Sequence, residues 1–156
     1  MLMLIFEVAR QKYALNTNHV VKVLPAIKLQ TMHGTSQAIA GVFNYQGHII
    51  PVININQLLN EPTSEHKLQQ RIILISQKQK NHQEKLFGLL VEKILEATTV
   101  QPEELKHAED LNSLFSNPYL GETFLQEKNI LQQISTEHIL SDQEYRDLIA
   151  NVEFNG

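Results

Sequence analysis

The sequence predicts an all-β protein, and three observations support this fold class. Short apolar runs rich in β-branched residues recur along the 156 residues. Polar segments that contain Gly, Asn or Pro separate these runs, which is typical of β-hairpins. The periodicity of a long amphipathic helix is missing from most of the chain, and a clear helix start occurs only near its end.

The N-terminal segment predicts the first hairpin. Residues 4–8 and 13–15 are apolar and flank a polar turn. Residues 16–18 can cap a short helical turn over residues 19–24, whereas the three valines of that stretch favour a strand equally well. Pro25 ends the stretch in either case.

The central stretch, residues 39–59, predicts a hairpin that lies in a core. Two almost entirely apolar arms, residues 40–43 and 49–53, flank the turn Asn-Tyr-Gln-Gly. Because neither arm alternates with polar residues, both faces of the hairpin must be covered. Polar and apolar residues then alternate at helical spacing over residues 54–59, while residues 26–38 indicate strand and loop.

The second half of the chain predicts further hairpins. Residues 71–75 and 86–91 are strand-like and flank a polar loop, and Gly88 indicates a bulge or a close backbone approach. Residues 92–100 continue the strand after a bend, and residues 102–105 form one helical turn.

The C-terminal part predicts a last hairpin and a helix. The apolar runs 123–125 and 130–134 flank a turn at residues 126–129. The sequence Ser-Asp-Gln-Glu at residues 141–144 is a capping box, which predicts a short C-terminal helix.

Composition and charge limit the classes of function. The net charge of −4 gives no electrostatic reason to expect nucleic acid as a partner. The absence of cysteine excludes disulfides, thiolate metal sites and a cysteine nucleophile. No apolar run approaches the length of a membrane span, and no signal peptide is evident, so we expect a cytoplasmic protein.

The motifs of common catalytic and metal sites are missing, so we do not expect an enzyme or a bound cofactor. The sequence has no P-loop, GxGxxG or GxSxG motif, and its adjacent acids indicate solvated segments. Metal-ligand spacing is missing among the seven histidines, which we expect at the surface: His19, His33, His48, His66, His82, His107 and His138.

An ordered set of short blocks carries a family resemblance. Residues 41–47 (GVFNYQG) and 49–55 (IIPVINI) are similar to the pattern G-V-x-N-x-R-G-x-x-x-P-V-x-D-L. Residues 87–94 (FGLLVEKI) are similar to F-G-L-x-V-D-x-V, and residues 71–75 add a further strand at matching spacing. Over most of residues 4–140 the chain therefore resembles the CheW family, the adaptor proteins of bacterial chemosensory arrays.

The resemblance implies an architecture. CheW-like proteins consist of two five-stranded, SH3-like barrels packed side by side, with short helical turns. In this chain the barrels are expected at residues 16–84 and at residues 1–15 plus 85–140, followed by a C-terminal helix and tail at residues 141–156. The predicted hairpins agree with this fold independently.

The resemblance also implies partners. Family members bind the regulatory domain of a CheA-type histidine kinase and the cytoplasmic tip of a methyl-accepting chemoreceptor, so they meet the membrane only through receptors. The expected function is a non-catalytic adaptor in chemotaxis or twitching motility, the latter because the kinase-side motif has diverged. The alternative is a divergent CheW-like interaction module that binds a different partner outside a receptor–kinase array.

Residues matched to the family pattern give three sets of expected site residues. The resemblance implies kinase contacts at Lys22, Tyr45, Gln46 and Asn54. It implies an apolar receptor-binding groove at Val20, Val23, Leu89 and Val91, although these residues equally suit the core. Turn or structural roles are expected for Gly41, Gly47, Pro51 and Gly88.

Three positions depart from the family pattern. Gln46 replaces an arginine, Asn54 replaces an acid, and Lys22 stands where many members have an acid. Joint loss of the arginine and the acid is consistent with removal of one ion pair. Two interpretations remain open: drift in a tolerated surface pair, which contributes only about 0–1 kcal/mol, or a kinase-facing surface tuned to a different partner.

Overall fold

The computed structural model describes residues 1–62, 67–101, 119–126 and 129–155, and shows ten strands in this part of the chain. The strands are β1 (Leu2–Val8), β2 (Gln11–Asn16), β3 (Val20–Pro25), β4 (Ile39–Tyr45), β5 (His48–Asn54), β6 (Arg71–Lys78), β7 (Glu84–Val91), β8 (Lys93–Thr99), β9 (Leu120–Gln126) and β10 (Asn129–Ile134). Two α-helices lie within the described residues, α1 (Ile55–Leu58) and α2 (Asp142–Asn155). Single 3₁₀ turns occur at Thr17–His19, Lys67–Gln69 and Thr136–His138.

The strands form two five-stranded sheets, which confirms the predicted all-β fold class with two five-stranded units. Sheet 1 has the order β8-β1-β2-β10-β9, and sheet 2 has the order β3-β6-β7-β5-β4. Neighbouring strands are antiparallel except for two pairs, β2 with β10 and β5 with β7. Each sheet thus contains two hairpins that a single parallel pairing joins, and one edge strand, β8 or β3, that pairs antiparallel with a strand distant in sequence.

A shared core lies between the two sheets, and each sheet has a smaller core of its own. In β6, Ile73 and Ile75 belong to the shared core, whereas Ile72 and Leu74 belong to the private core of sheet 2. The alternation follows from the two-residue period of a strand. Burial on both faces explains why the arms of these hairpins are almost continuously apolar.

The chain crosses from sheet 2 to sheet 1 at Glu92, the bend between β7 and β8. One carboxylate oxygen of Glu92 accepts a hydrogen bond from the backbone N–H of Ala9, at the β1–β2 turn, at 3.2 Å. The other oxygen accepts a hydrogen bond at 2.6 Å from the side-chain amide of Asn56 in α1. Asn56 is only 3% exposed. Glu92 therefore ties the two sheets together at the point where the chain passes between them.

The glycines expected to be structural have specific reasons for being glycine. Gln46 and Gly47 form the two-residue turn between β4 and β5, with φ of 52° and 87°, the left-handed values that such hairpins require. A Cβ on Gly41, where φ is 153°, would lie 2.6 Å from the carbonyl oxygen of Gln30. A Cβ on Gly88 would lie 2.7 Å from a methyl carbon of Ile72, so the glycine permits close packing rather than a bulge.

Several expectations need correction in detail. Residues 84–91 form β7 in sheet 2, so the first part of the expected 85–140 segment pairs with the middle strands and not with the N-terminal ones. Residues 26–38 contain no strand and only the isolated bridge from Gln30 to Val42. Pro51, which as a proline is expected in an edge strand or at a bulge, lies in the interior strand β5, one position before the pairing with β7 begins at Val52.

The structure decides between helix and strand for residues 19–24 and gives the length of the C-terminal helix. Residues 17–19 form a 3₁₀ turn capped by the Asn16 side chain, and residues 20–25 form strand β3. The C-terminal helix α2 is 14 residues long, and the Ser141 hydroxyl accepts a hydrogen bond from the N–H of Glu144 at 3.1 Å, as the capping box predicts. The helical turn expected at residues 102–105 lies outside the described residues.

Candidate partner-binding surface

Strand β3 forms one edge of sheet 2 and pairs only with β6 in the described structure. A register shift between Val20 and Lys22 leaves Val21 as an extra residue. Such a bulge reverses the face that the following side chains occupy. Val20 and Val23 consequently pair with Ile75 and Ile73, on the face of the shared core, while Lys22 pairs with Leu74.

The exposed side chains at this edge are mostly apolar. Val21 is 53% exposed, Val23 is 38% exposed, and Ile27, just beyond the strand, is 42% exposed. Lys22 is exposed among them. We call Val21, Lys22, Val23 and Ile27 the β3 rim. An edge strand with exposed apolar side chains offers both unpaired backbone groups and hydrophobic surface to a partner.

The structure separates the four residues predicted to form a receptor-binding groove. Val20 is half-buried against the shared core, and Val23 lies on the β3 rim. Leu89 is 0% and Val91 1% exposed inside the shared core, so they are core residues rather than groove residues. Val23, Ile73 and Leu89 nevertheless form one row across β3, β6 and β7. Val23 on the rim is thus the exposed end of this row, whose other members, Ile73 and Leu89, are buried in the shared core.

The predicted kinase contacts Tyr45 and Gln46 lie at the tip of the β4–β5 hairpin. Gln46 is exposed. The Tyr45 ring is half-buried and makes an edge-to-face contact with Phe43, with ring centroids 6.4 Å apart. Asn44 supports the turn, because its side-chain oxygen accepts a hydrogen bond from the N–H of Gly47 at 2.9 Å. The tip therefore presents Gln46 to solvent on a well-defined turn.

Asn54, also a predicted kinase contact, has a structural role in this chain. It is the N-cap of α1, and its side-chain oxygen accepts a hydrogen bond from the N–H of Asn56 at 3.0 Å. Asparagine and aspartate are about equally good N-caps. Replacement of the family's acid by Asn54 therefore preserves the cap while it removes a charge.

The four predicted kinase contacts do not converge on one patch. Gln46 and Asn54 flank opposite ends of β5, which at about 3.3 Å per residue places them roughly 20 Å or more apart. Lys22 lies on β3, at the other edge of the strand order. An arginine and an acid at positions 46 and 54 could not form an ion pair, so the single-ion-pair explanation of these departures is wrong on geometric grounds.

A buried cation fixes helix α2 to sheet 2. Lys85 at the start of β7 is 3% exposed, and its ammonium group donates to the Leu140 carbonyl at 2.6 Å and to the Asp142 carboxylate at 3.0 Å. The carboxylate also accepts a bond from the N–H of Lys80 at 3.0 Å. The hydrogen bond from Lys80, then that from Lys85, lowers the pKa of Asp142 below its ordinary value of 3.8.

Sequence reasoning did not identify Val21 and Ile27 as exposed. The valine run gave no sign of the bulge at Val21, since a bulge depends on pairing with β6.

The five histidines in the described part of the chain are all exposed: His19, His33, His48, His82 and His138. Within the same part, no helix has the length and apolar character needed to cross a membrane.

Comparison with known proteins decides the family. The sequence profile of the CheW-like domain matches residues 2–144. The chain belongs to this family. The CheW-like domain thus includes both sheets and the start of α2, while most of α2 follows the matched region.

Two CheW-like relatives show how far the similarity extends. The chemotaxis protein CheW of Bacillus subtilis is 25% identical over 141 residues, which cover 90% of this chain and 87% of that protein. The crystal structure of the scaffolding protein TtCheW from Thermoanaerobacter tengcongensis superposes with a TM-score of 0.73 at 16% identity, covering 92% of this chain and 89% of that one. CheW family proteins are non-catalytic scaffolds, so this CheW-like chain is a scaffold and not an enzyme.

Proposed function

We propose that this CheW-like scaffold is a cytoplasmic adaptor that couples methyl-accepting chemoreceptors to a CheA-type histidine kinase, in chemotaxis or twitching-motility signalling. The observation that carries the proposal is the β3 rim, an exposed apolar edge in a fold whose relatives are named as chemotaxis and scaffolding proteins. An adaptor of this kind needs surface and strand edges rather than catalytic groups.

The receptor tip is the partner that we assign to the β3 rim. The row from Val23 to Leu89 leads from the exposed edge directly into the shared core. An apolar side chain of a helical receptor tip can therefore pack against Val23 and Val21 and extend the core outward, which removes apolar surface from water at about 25 cal/mol per Å². Leu89 and Val91 support this surface from inside.

The kinase is the partner that we assign to the β4–β5 tip. Tyr45 and Gln46 are presented there on a two-residue turn, and Gln46 occupies the position of the family's arginine. Loss of a guanidinium removes a charged, bidentate donor, so we expect a weaker or differently tuned kinase contact than in other family members.

The first experiment measures binding of the receptor tip. Val23→Asp places a charge in the β3 rim, whereas Ile130→Asp replaces an apolar residue of sheet 1 that is 55% exposed. We expect Val23→Asp to weaken binding of a receptor-tip fragment about tenfold or more and Ile130→Asp to leave it unchanged. Thermal unfolding of both variants is the control for folding. Equal loss in both variants would contradict the assignment of the rim.

The second experiment measures binding of the kinase regulatory domain by the wild-type chain and by Gln46→Arg. We expect Gln46→Arg to strengthen the complex, because it restores a charged donor at the exposed tip. If neither protein binds the kinase or the receptor tip at about 0.1 mM, the adaptor proposal fails. The alternative, a CheW-like module with a different partner, would then stand.

A further inference from the structure

A second surface, distinct from the β3 rim, lies where three distant segments meet. The register of Val20 with Ile75 places His19 beside the end of β6. The Gln77 amide donates a hydrogen bond to the Thr136 hydroxyl, which brings in the turn that contains His138. Together with the start of α2, these segments enclose an open cleft of about 830 Å³.

The lining of this cleft has an excess of positive charge. Its four cationic and two acidic side chains give a local charge of +2 with the histidines neutral, in a chain whose net charge is −4: Lys78, Lys80, Lys85 and Arg146 against Glu137 and Asp142. Lys85 and Asp142 neutralise each other at 3.0 Å, and theirs is the only ion pair found among the described residues. The excess charge therefore comes from Lys78, Lys80 and Arg146, with Glu137 as the opposing group.

The two lysines are available to a ligand. Lys78 and Lys80 are both exposed, and Lys80 uses only its backbone N–H to bond Asp142. Glu84 lies opposite Lys78 in the β6–β7 ladder, but its carboxylate accepts a hydrogen bond from the Ser76 hydroxyl at 2.7 Å. Neither ammonium group forms an ion pair within the described structure. Both can thus pair with an anion from outside the chain.

The form of the cleft distinguishes between kinds of anion. Arg146 already donates from its two terminal nitrogens to Gln79 at 3.2 Å and to Gln143 at 3.1 Å, so two of its five N–H donors are engaged within the chain, whereas the ammonium groups of the two lysines form no ion pair there. Among the described residues no Phe, Tyr or Trp lines the cleft, so it lacks the large aromatic rings on which nucleic-acid bases most often stack. Flexible lysines spread along an open cleft suit several separated carboxylates better than one compact group.

We propose that this cleft binds a carboxylate-rich peptide segment of a partner protein, with Lys78 and Lys80 as the principal contacts. His19, which lines the cleft, directly precedes β3 in sequence, so the cleft and the β3 rim are neighbouring surfaces. A partner seated on the rim can extend an acidic segment into the cleft. Binding of an acidic segment is inferred from the charge and shape of the cleft alone. It therefore does not require that the partner be a receptor or a kinase.

The test measures fluorescence anisotropy of a labelled hexaglutamate peptide at low ionic strength, with hexaglutamine as the neutral comparison. The variant Lys78→Gln/Lys80→Gln removes both contacts. The matched control Lys12→Gln/Lys28→Gln removes two exposed lysines elsewhere and lowers the net charge equally. We expect the first pair to weaken hexaglutamate binding about tenfold and the control pair to change it less than about twofold. Added salt should weaken binding by the wild type.

Three results would overturn the proposal. They are equal binding of hexaglutamine, equal losses in the two double variants, or displacement of the peptide by inorganic phosphate or a single-stranded oligonucleotide at lower concentration than by free hexaglutamate. Thermal unfolding of the variants verifies their folding. Receptor-tip and kinase binding are measured on the same proteins. If the lysine variant loses peptide binding but still binds receptor tip and kinase, the loss is assigned to the cleft. If the wild type binds the peptide but neither receptor tip nor kinase, only the adaptor proposal fails.

Discussion

Strands β3 and β7 have similar apolar composition but different environments. In β7, Leu89 and Val91 are at most 1% exposed, whereas in β3 Val21 and Val23 are 53% and 38% exposed. The cause is position in the sheet, because within the described structure β7 has neighbouring strands on both sides and β3 has one on a single side. The comparison teaches that composition selects a strand, whereas strand order decides whether its side chains stabilise the fold or contact a partner.

The largest expected effect tests this difference directly. Leu89→Ala should lower the free energy of unfolding by about 2–5 kcal/mol, because it leaves a cavity in the shared core. Val23→Ala, in the same row at the exposed end, should change it by less than about 0.5 kcal/mol. Urea denaturation of the two variants measures both values. Similar losses in the free energy of unfolding of the two variants would show that the Val23 side chain is buried in solution.

A smaller effect is expected at the end of β5, the strand beside β7. Asn54→Ala should cost about 1 kcal/mol, because the N-cap of α1 is lost, while Asn54→Asp should retain stability. Gln46→Ala, at the exposed turn, should cost less than about 0.5 kcal/mol. Thermal and urea unfolding measure the effects. An equally stable Asn54→Ala would mean that the cap does not contribute and that Asn54 is free for a partner.

The smallest effect concerns the start of β7, where Lys85 meets Asp142. The lowered pKa of Asp142 means that the folded state favours the charged carboxylate, so this contribution is present above the unfolded pKa and is lost as pH falls through the folded one. We expect wild type to be more stable than Asp142→Asn near neutral pH. The difference should shrink in the acid range below about pH 4. A constant difference at all pH values would assign the effect to packing.

Much of the fold could be predicted because the hairpins are local. The turn at residues 44–47, the helical spacing of residues 54–59 and the capping box at residue 141 each lie within a short stretch of sequence. The resemblance to the CheW family supplied the two five-stranded units, and the sheets confirm this fold class. Local chemistry and family pattern together were sufficient at this level.

The candidate site was less predictable because it depends on contacts between distant segments. The bulge at Val21 requires pairing with β6, and the burial of Leu89 requires packing of sheet 1 against sheet 2. The capping role of Asn54 was concealed by its match to a motif position. The cleft beside α2 joins residues 19, 78 and 146, and no sequence pattern relates positions so far apart.

The two parallel strand pairs have a consequence for the order in which the protein folds during synthesis. The described strands of sheet 2 lie within residues 20–91, so all of them exist once residue 91 has been made. Sheet 1 cannot close until β10 emerges, because β2 pairs with it across more than a hundred residues. Strand β1 can pair with β8 earlier, but the β2 edge of the hairpin, although made first, must wait for β10, and contacts so distant in sequence form slowly. Nascent chains truncated before residue 129 should therefore expose the unpaired edge of β2 to chaperones, although all strands of sheet 2 and strand β8 have already been made.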